Sequence, residues 1–103
     1  MVQQFEVYRH PAPARRDLFP YLVVLQHDSV DIRDKVLVVP LVAPERELRS
    51  RLYPTIELQG RGLILLTPAI GPIAGRHLRN PIANLSDHRS RIIAAIDMLF
   101  AGS

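Results

Sequence analysis

The spacing of apolar and polar positions changes along the chain, and the changes mark its elements. Near the start, Phe5 and Val7 alternate with Gln4 and Glu6, which predicts a first strand over Gln3–Tyr8 with one buried face. His10–Asp17 carries Pro11 and Pro13 and reads as a loop, because proline removes a ladder donor. Tyr21–Gln26 is apolar on both faces and predicts a central second strand. His27–Asp34 is a polar turn region, and Lys35–Val39 is a third strand. Pro40 is expected to end its pairing or to mark an edge or a bulge.

Pro44–Leu52 is charged and predicts a short helix whose apolar face is only Leu48 and Leu52. Tyr53–Leu58 alternates again as a fourth strand. Gln59-Gly60-Arg61-Gly62 supplies a hairpin turn, and Leu63–Leu66 returns as the fifth strand. Pro68, Gly71, Pro72 and Gly75 then break the pattern.

Leu85–Ser103 switches to a helical period. Ser86 is the expected N-cap, and Asp87 places negative charge at the positive end of the helix dipole. Arg89 in the third position excludes a capping box, and Gly102 can supply the left-handed closing residue. Ile92, Ile93, Ala95, Ile96, Leu99 and Phe100 fill one arc of roughly 160°, the expected core face. Ala94 and Met98 lie behind it among Ser90, Arg91 and Asp97. Flexible Met98 there faces either solvent or a second surface, and a homodimer with Met98 and Ala101 at its interface is expected to provide the latter. The elements add up to a mainly β chain of about five strands with a C-terminal α-helix. A small antiparallel barrel or twisted sheet with the helix over its open face satisfies them.

Composition narrows this without changing it. The chain has 103 residues, enough for one domain over 1–103 and one modest core. The formal net charge is only +3, but twelve of the thirteen cations are arginine, a side chain whose fork suits carboxylate and phosphate partners. The absence of cysteine excludes disulfide and thiol chemistry. No apolar run is long enough for a bilayer, and the first residues lack the build of a signal peptide, so a cytoplasmic protein is expected.

Candidate chemistry is sparse. His27-Asp28-Ser29-Val30-Asp31 could hold a metal or an acid/base pair, yet polar residues are expected in a turn, and no second group with ligand spacing follows. His77 and His88 stand alone, and no Gly-x-Ser-x-Gly elbow exists. No metal, cofactor or catalytic residue is therefore expected. Arg15-Arg16, the arginines of 46–51, and Arg76 with Arg79 could touch phosphates. A solvated charged surface is preferred over RNA binding, and no sequence-specific nucleic-acid or membrane contact is expected.

Several stretches taken together resemble the CcdB family of toxins from toxin–antitoxin modules. They are Phe5-Glu6-Val7-Tyr8, Leu22–Asp28, Val38-Val39-Pro40-Leu41, Leu52-Tyr53-Pro54, Leu66-Thr67, and Asn84-Leu85-Ser86 running into Ile92–Phe100. They occur in family order over nearly the whole chain. The resemblance implies an SH3-like antiparallel barrel with a C-terminal helix, acting as a homodimer. It implies a target, the DNA gyrase A subunit, trapped on cleaved DNA through residues matching Val30, Asp97, Phe100, Ala101, Gly102 and Ser103. It also implies neutralisation by a disordered acidic antitoxin, for which the basic loops with Arg9, Arg15, Arg16, Arg46, Arg49 and Arg51 are the expected site. Familiar members carry Trp-Gly-Ile where this chain has Ala101-Gly102-Ser103, an Asn in place of Asp97, and an Ile pair in place of Ser29-Val30. Two alternatives stay open: an RNA-cleaving toxin on the same barrel, and a degenerate toxin retaining only antitoxin binding.

Overall fold

The computed structural model describes residues 2–102. Seven strands form one antiparallel sheet: β1 (Glu6–Arg9), β2 (Tyr21–Val24), β3 (Lys35–Val42), β4 (Thr55–Leu58), β5 (Arg61–Leu65), β6 (Gly71–Ala74) and β7 (Ala83–Asn84). One helix, α1 (Arg89–Ala101), follows them. The strands run β4-β5-β3-β2-β1-β7, with β6 also pairing β3, so the sheet curls into a nearly closed barrel. All five expected strands are present, with β2 between β1 and β3 as its two apolar faces require.

Strand β3 carries this arrangement. One edge pairs with β2 from Val38 to Leu41; the other pairs first with β6, from Lys35 to Val38, and then with β5, at Leu41 and Val42. Pro40 sits inside the strand and does not end it; of the outcomes expected there, it marks a break along one edge. The reason lies in the alternation of backbone direction. Leu37 O accepts the Leu25 N–H across the β2 edge, whereas Pro40 O accepts the Leu66 N–H on the opposite edge. The donor that proline lacks therefore faces the gap where β6 has ended and β5 has barely begun.

Alternation along β1, β2 and β3 sorts the apolar side chains onto two faces. Val7, Val23, Leu25, Val39 and Leu41 face the main core with Phe5, Ile56, Leu63, Leu65, Leu85 and Ile92. Tyr8, Leu22, Val24, Val36 and Val38 form a second cluster on the other face, closed by Leu78 and partly by Ile73 and Val2. The α1 residues Ile92 and Ala95 are fully buried, and Ile93 and Ile96 pack against the main core.

Several expectations are corrected. Strand β1 starts at Glu6 because Phe5 adopts φ +70°, a left-handed conformation that bulky residues rarely enter. It is fixed there by its N–H to Val24 O (2.7 Å), by its carbonyl to Leu85 N (2.8 Å), and by a ring only 3% exposed. Pro44–Leu52 forms only a 3₁₀ turn at Arg46–Leu48, since two leucines give too little apolar face for a helix. The Gly71–Ala74 stretch, expected as a break, is strand β6. Its Gly71 and Ile73 face β3, which turns Pro72 to the open edge, where no donor is needed. The hairpin turn tightens to Gln59-Gly60, at φ +52° and +80°, the geometry of a two-residue type I′ loop. Ser86 does not cap α1. Asn84 Oδ1 instead accepts the Ser86 N–H at 2.8 Å, a 3₁₀ turn occupies Ser86–His88, and the α-helix begins at Arg89.

The second cluster includes one polar tip. Tyr8 donates its hydroxyl hydrogen to Glu6 Oε1 at 2.7 Å, and the Gln3 N–H reaches the same oxygen. Burial, and then the bond to Glu6, hold the Tyr8 phenol well above its ordinary ionisation range. A raised folded-state pKa means that its stabilising contribution is complete below about pH 10, the unfolded value, and is lost as pH rises beyond it. Denaturant midpoints should therefore fall above about pH 10 in the wild type. Tyr8→Phe should show a shallower decline, read by denaturation monitored by circular dichroism.

Candidate functional site

The end of α1 is exposed. Phe100, expected on the core face, is 77% exposed, because the helix has run past the residues it covers. Asp97 and Ala101 are also exposed, and Met98 is half-buried. Gly102 closes the helix at φ +77° with its N–H to Met98 O at 3.0 Å, so the chain turns directly behind Phe100. Ser103 lies outside the described residues.

Val30 stands elsewhere in the protomer. It is 50% exposed in the turn after β2, and its carbonyl accepts a hydrogen from Gln26 Nε2 at 3.0 Å. That turn is anchored near the beginning of α1: Asp28 Oδ1 accepts the Gln4 N–H at 2.7 Å, and Gln4 Oε1 accepts from Arg89 Nη1 at 3.2 Å. Arg89 also lies over the Phe5 ring, 5.6 Å from its centre. At ~1.5 Å of rise per residue, Ala101 lies about 18 Å farther along the helix. The structure thus gathers Asp97, Phe100, Ala101 and Gly102 at one end and keeps Val30 at the other.

The His27–Asp31 turn is occupied by its own backbone. His27 Nδ1 accepts the Ser29 N–H (3.1 Å), and Asp31 Oδ1 accepts the Arg33 N–H (2.8 Å). With Asp28 engaged by Gln4, these groups shape a turn and do not converge on an open site. Among the described residues, no group of three His, Cys, Asp or Glu side chains could hold a metal ion, and no helix is long and apolar enough to cross a membrane.

The basic loops occupy two separate places. Arg46, Arg49 and Arg51 line a cleft of about 670 Å³ between the 44–54 segment and α1. Tyr53, Pro54, Ile64 and Ala94 give it an apolar floor, and Arg91 adds a fourth cation. Sequence reasoning did not place Arg91, Ala94 or Tyr53 in a site, because they meet only when the helix packs beside the loop. Arg9 ends β1, and Arg15 and Arg16 lie on the long β1–β2 connection that follows it. Arg9 and Arg15 are exposed, and Arg16 Nε donates to His10 O at 2.7 Å.

The cleft wall depends on one buried hydroxyl. Thr67 is fully buried in the 3₁₀ turn Thr67–Ala69, and its Oγ1 donates to Leu52 O, which fixes the chain beside Tyr53 and Pro54.

Comparison with protein-family models matches residues 4–102 to the family described as "CcdB protein".

Thr67→Val keeps the volume but leaves the Leu52 carbonyl unpaired, and should cost about 1–3 kcal/mol of stability in urea denaturation. A variant as stable as the parent would show that the hydroxyl does not hold the cleft wall.

Proposed function

The chain belongs to the CcdB family, toxins of toxin–antitoxin systems, and we propose that it binds the A subunit of DNA gyrase and traps the enzyme on cleaved DNA. Toxins of this family are non-catalytic, so the chain is not an enzyme, and the RNA-cleaving alternative is set aside. The observation that carries the reading is the tip of α1, where a phenylalanine 77% exposed is presented on a helix whose earlier turns are locked into the core. Such a side chain supplies a large apolar anchor at no folding cost, the kind of residue on which interface energy concentrates.

The working unit in this reading is a homodimer. Val30 and the Phe100 tip stand at opposite ends of one protomer's helix, so a single gyrase surface touching both would draw one from each copy. A two-fold pairing through Met98 and Ala101 brings the two tips together. The acidic antitoxin is proposed to enter the cleft of Arg46, Arg49, Arg51 and Arg91, setting apolar side chains on Tyr53, Ile64 and Ala94. Its flanking acids would reach Arg9, Arg15 and Arg16.

Two measurements test this. Phe100→Ala, or deletion of Gly102 and Ser103, should abolish trapping of gyrase cleavage complexes with an unchanged circular dichroism spectrum. Ala101→Trp with Ser103→Ile should strengthen trapping, since a large aromatic side chain is worth a few kcal/mol of contact at ~25 cal/mol per Å². Truncated protein that traps gyrase as well as the parent would remove the tip from the site. A wild type that binds antitoxin without trapping gyrase would instead identify a degenerate toxin. Met98→Asp should shift sedimentation toward the monomer by placing like charges across the dimer axis.

For the antitoxin, charge reversal at Arg49 and Arg91 together should weaken binding of an acidic antitoxin peptide by about tenfold or more in low salt and by less in high salt. Salt-independent binding, measured by calorimetry, would place the contact outside the cleft.

A further inference from the structure

Arg76 and Arg79 are not used by any surface described so far, and the structure places them beside an unassigned groove. A cavity of about 480 Å³ is lined by His10, Arg76, His77 and Arg79, and none of its lining residues is acidic. A second cavity of about 260 Å³ shares His10 and Ile73 with the first and is otherwise apolar, with Phe19, Pro40 and Pro72 among its walls. The groove therefore has a cationic half and a flat apolar half that meet at His10. Its size falls within the ~300–1,000 Å³ common for small-molecule sites.

Arg76 and Arg79 project from one short segment and are exposed, and Arg79 Nε donates to the Arg76 carbonyl at 3.5 Å. His10 Nδ1 accepts the Ala12 N–H at 3.0 Å, so that nitrogen carries no proton and Nε2 carries the ring hydrogen. Burial and the nearby Arg15 and Arg16 also keep His10 neutral below its ordinary range. His10 thus offers an N–H donor without a charge, between guanidinium groups with free charge and a hydrophobic wall. Proline and phenylalanine faces suit a planar ring, and paired guanidinium forks suit phosphate oxygens.

We propose that this groove binds a phosphate ester bearing a planar ring, the chemistry of a nucleotide, with the phosphate at Arg76, Arg79 and His10 and the ring on Phe19 and Pro72. The same chemistry is presented by a free nucleotide and by the 5′-phosphorylated end of a nucleic acid.

The test titrates inorganic phosphate, adenosine and AMP into the full-length protein and reads the ring resonances of His10 and the backbone amides of 71–79 by NMR. AMP should bind about tenfold or more tightly than either fragment. Arg76→Ala with Arg79→Ala, both exposed positions, should abolish the AMP and phosphate shifts, whereas Arg61→Ala on the β4–β5 hairpin should leave them intact. Phe19→Ala should bring AMP down to the level of phosphate. Displacement of AMP by a 5′-phosphorylated oligonucleotide, but not by its unphosphorylated form, supports the proposal with a nucleic-acid end as the source. AMP binding with no displacement supports it with a free nucleotide. The proposal is overturned if adenosine or phosphate alone binds as well as AMP, or if Arg61→Ala weakens AMP as much as the double variant. Competition by an acidic peptide as effective as AMP, and unaffected by Phe19→Ala, would also overturn it.

Discussion

The division of β3 between two partners on one edge is the constraint on which the remaining structure depends. A single strand pairing β6 and then β5 cannot stay flat, and the sheet on either side of the hand-over must turn toward opposite cores. Pro40 occupies the position at which a donor would find no acceptor. From that point the apolar residues of β1 and β2 divide between the two clusters by alternation alone, and α1 covers the larger one. The cleft, the basic groove and the helix tip all lie at places where this curled sheet leaves a rim: beside the 44–54 segment, beside β6, and beyond the last covered residue of α1.

Much of this was legible from periodicity. Two-residue alternation located β1 and β4, apolar runs between turns located β2, β3 and β5, and the apolar character of both faces of Tyr21–Val24 placed β2 inside the sheet. The parts that were not legible share a cause. Strand β6 contains glycine and proline and fails every propensity test, yet it is held by β3 and needs its proline on the open edge. Phe5 reads as an ordinary strand residue, because a positive φ imposed by Val24 and Leu85 leaves no trace in local pattern. Phe100 sits on the correct side of the helical wheel for a core residue; a wheel does not show how far the sheet beneath it extends.

The candidate site was legible in the same uneven way. Family order pointed to the residues of the tip, and arginine content pointed to acidic partners. Neither could bring Arg91 and Ala94 opposite Tyr53, or set His10 between Arg76 and Phe19. Arg91 and Ala94 are dozens of positions from Tyr53, and Arg76 from His10, and these pairs meet only through the packing of α1 and β6. Local spacing did flag the His27–Asp31 turn, and there the structure gives an architectural role: its polar atoms tie the turn to itself and, through Gln4, to the first turn of α1.

The position of α1 after every strand has a consequence for synthesis. The element that presents Phe100 is also the element that seals the main core with Ile92 and Ala95. While a ribosome is still building the chain, the barrel stays open on that side and the tip does not yet exist. An interrupted chain is then unsealed, and its exposed core surface invites proteolysis. Closure of the main core and display of Phe100 are thus accomplished by one and the same helix.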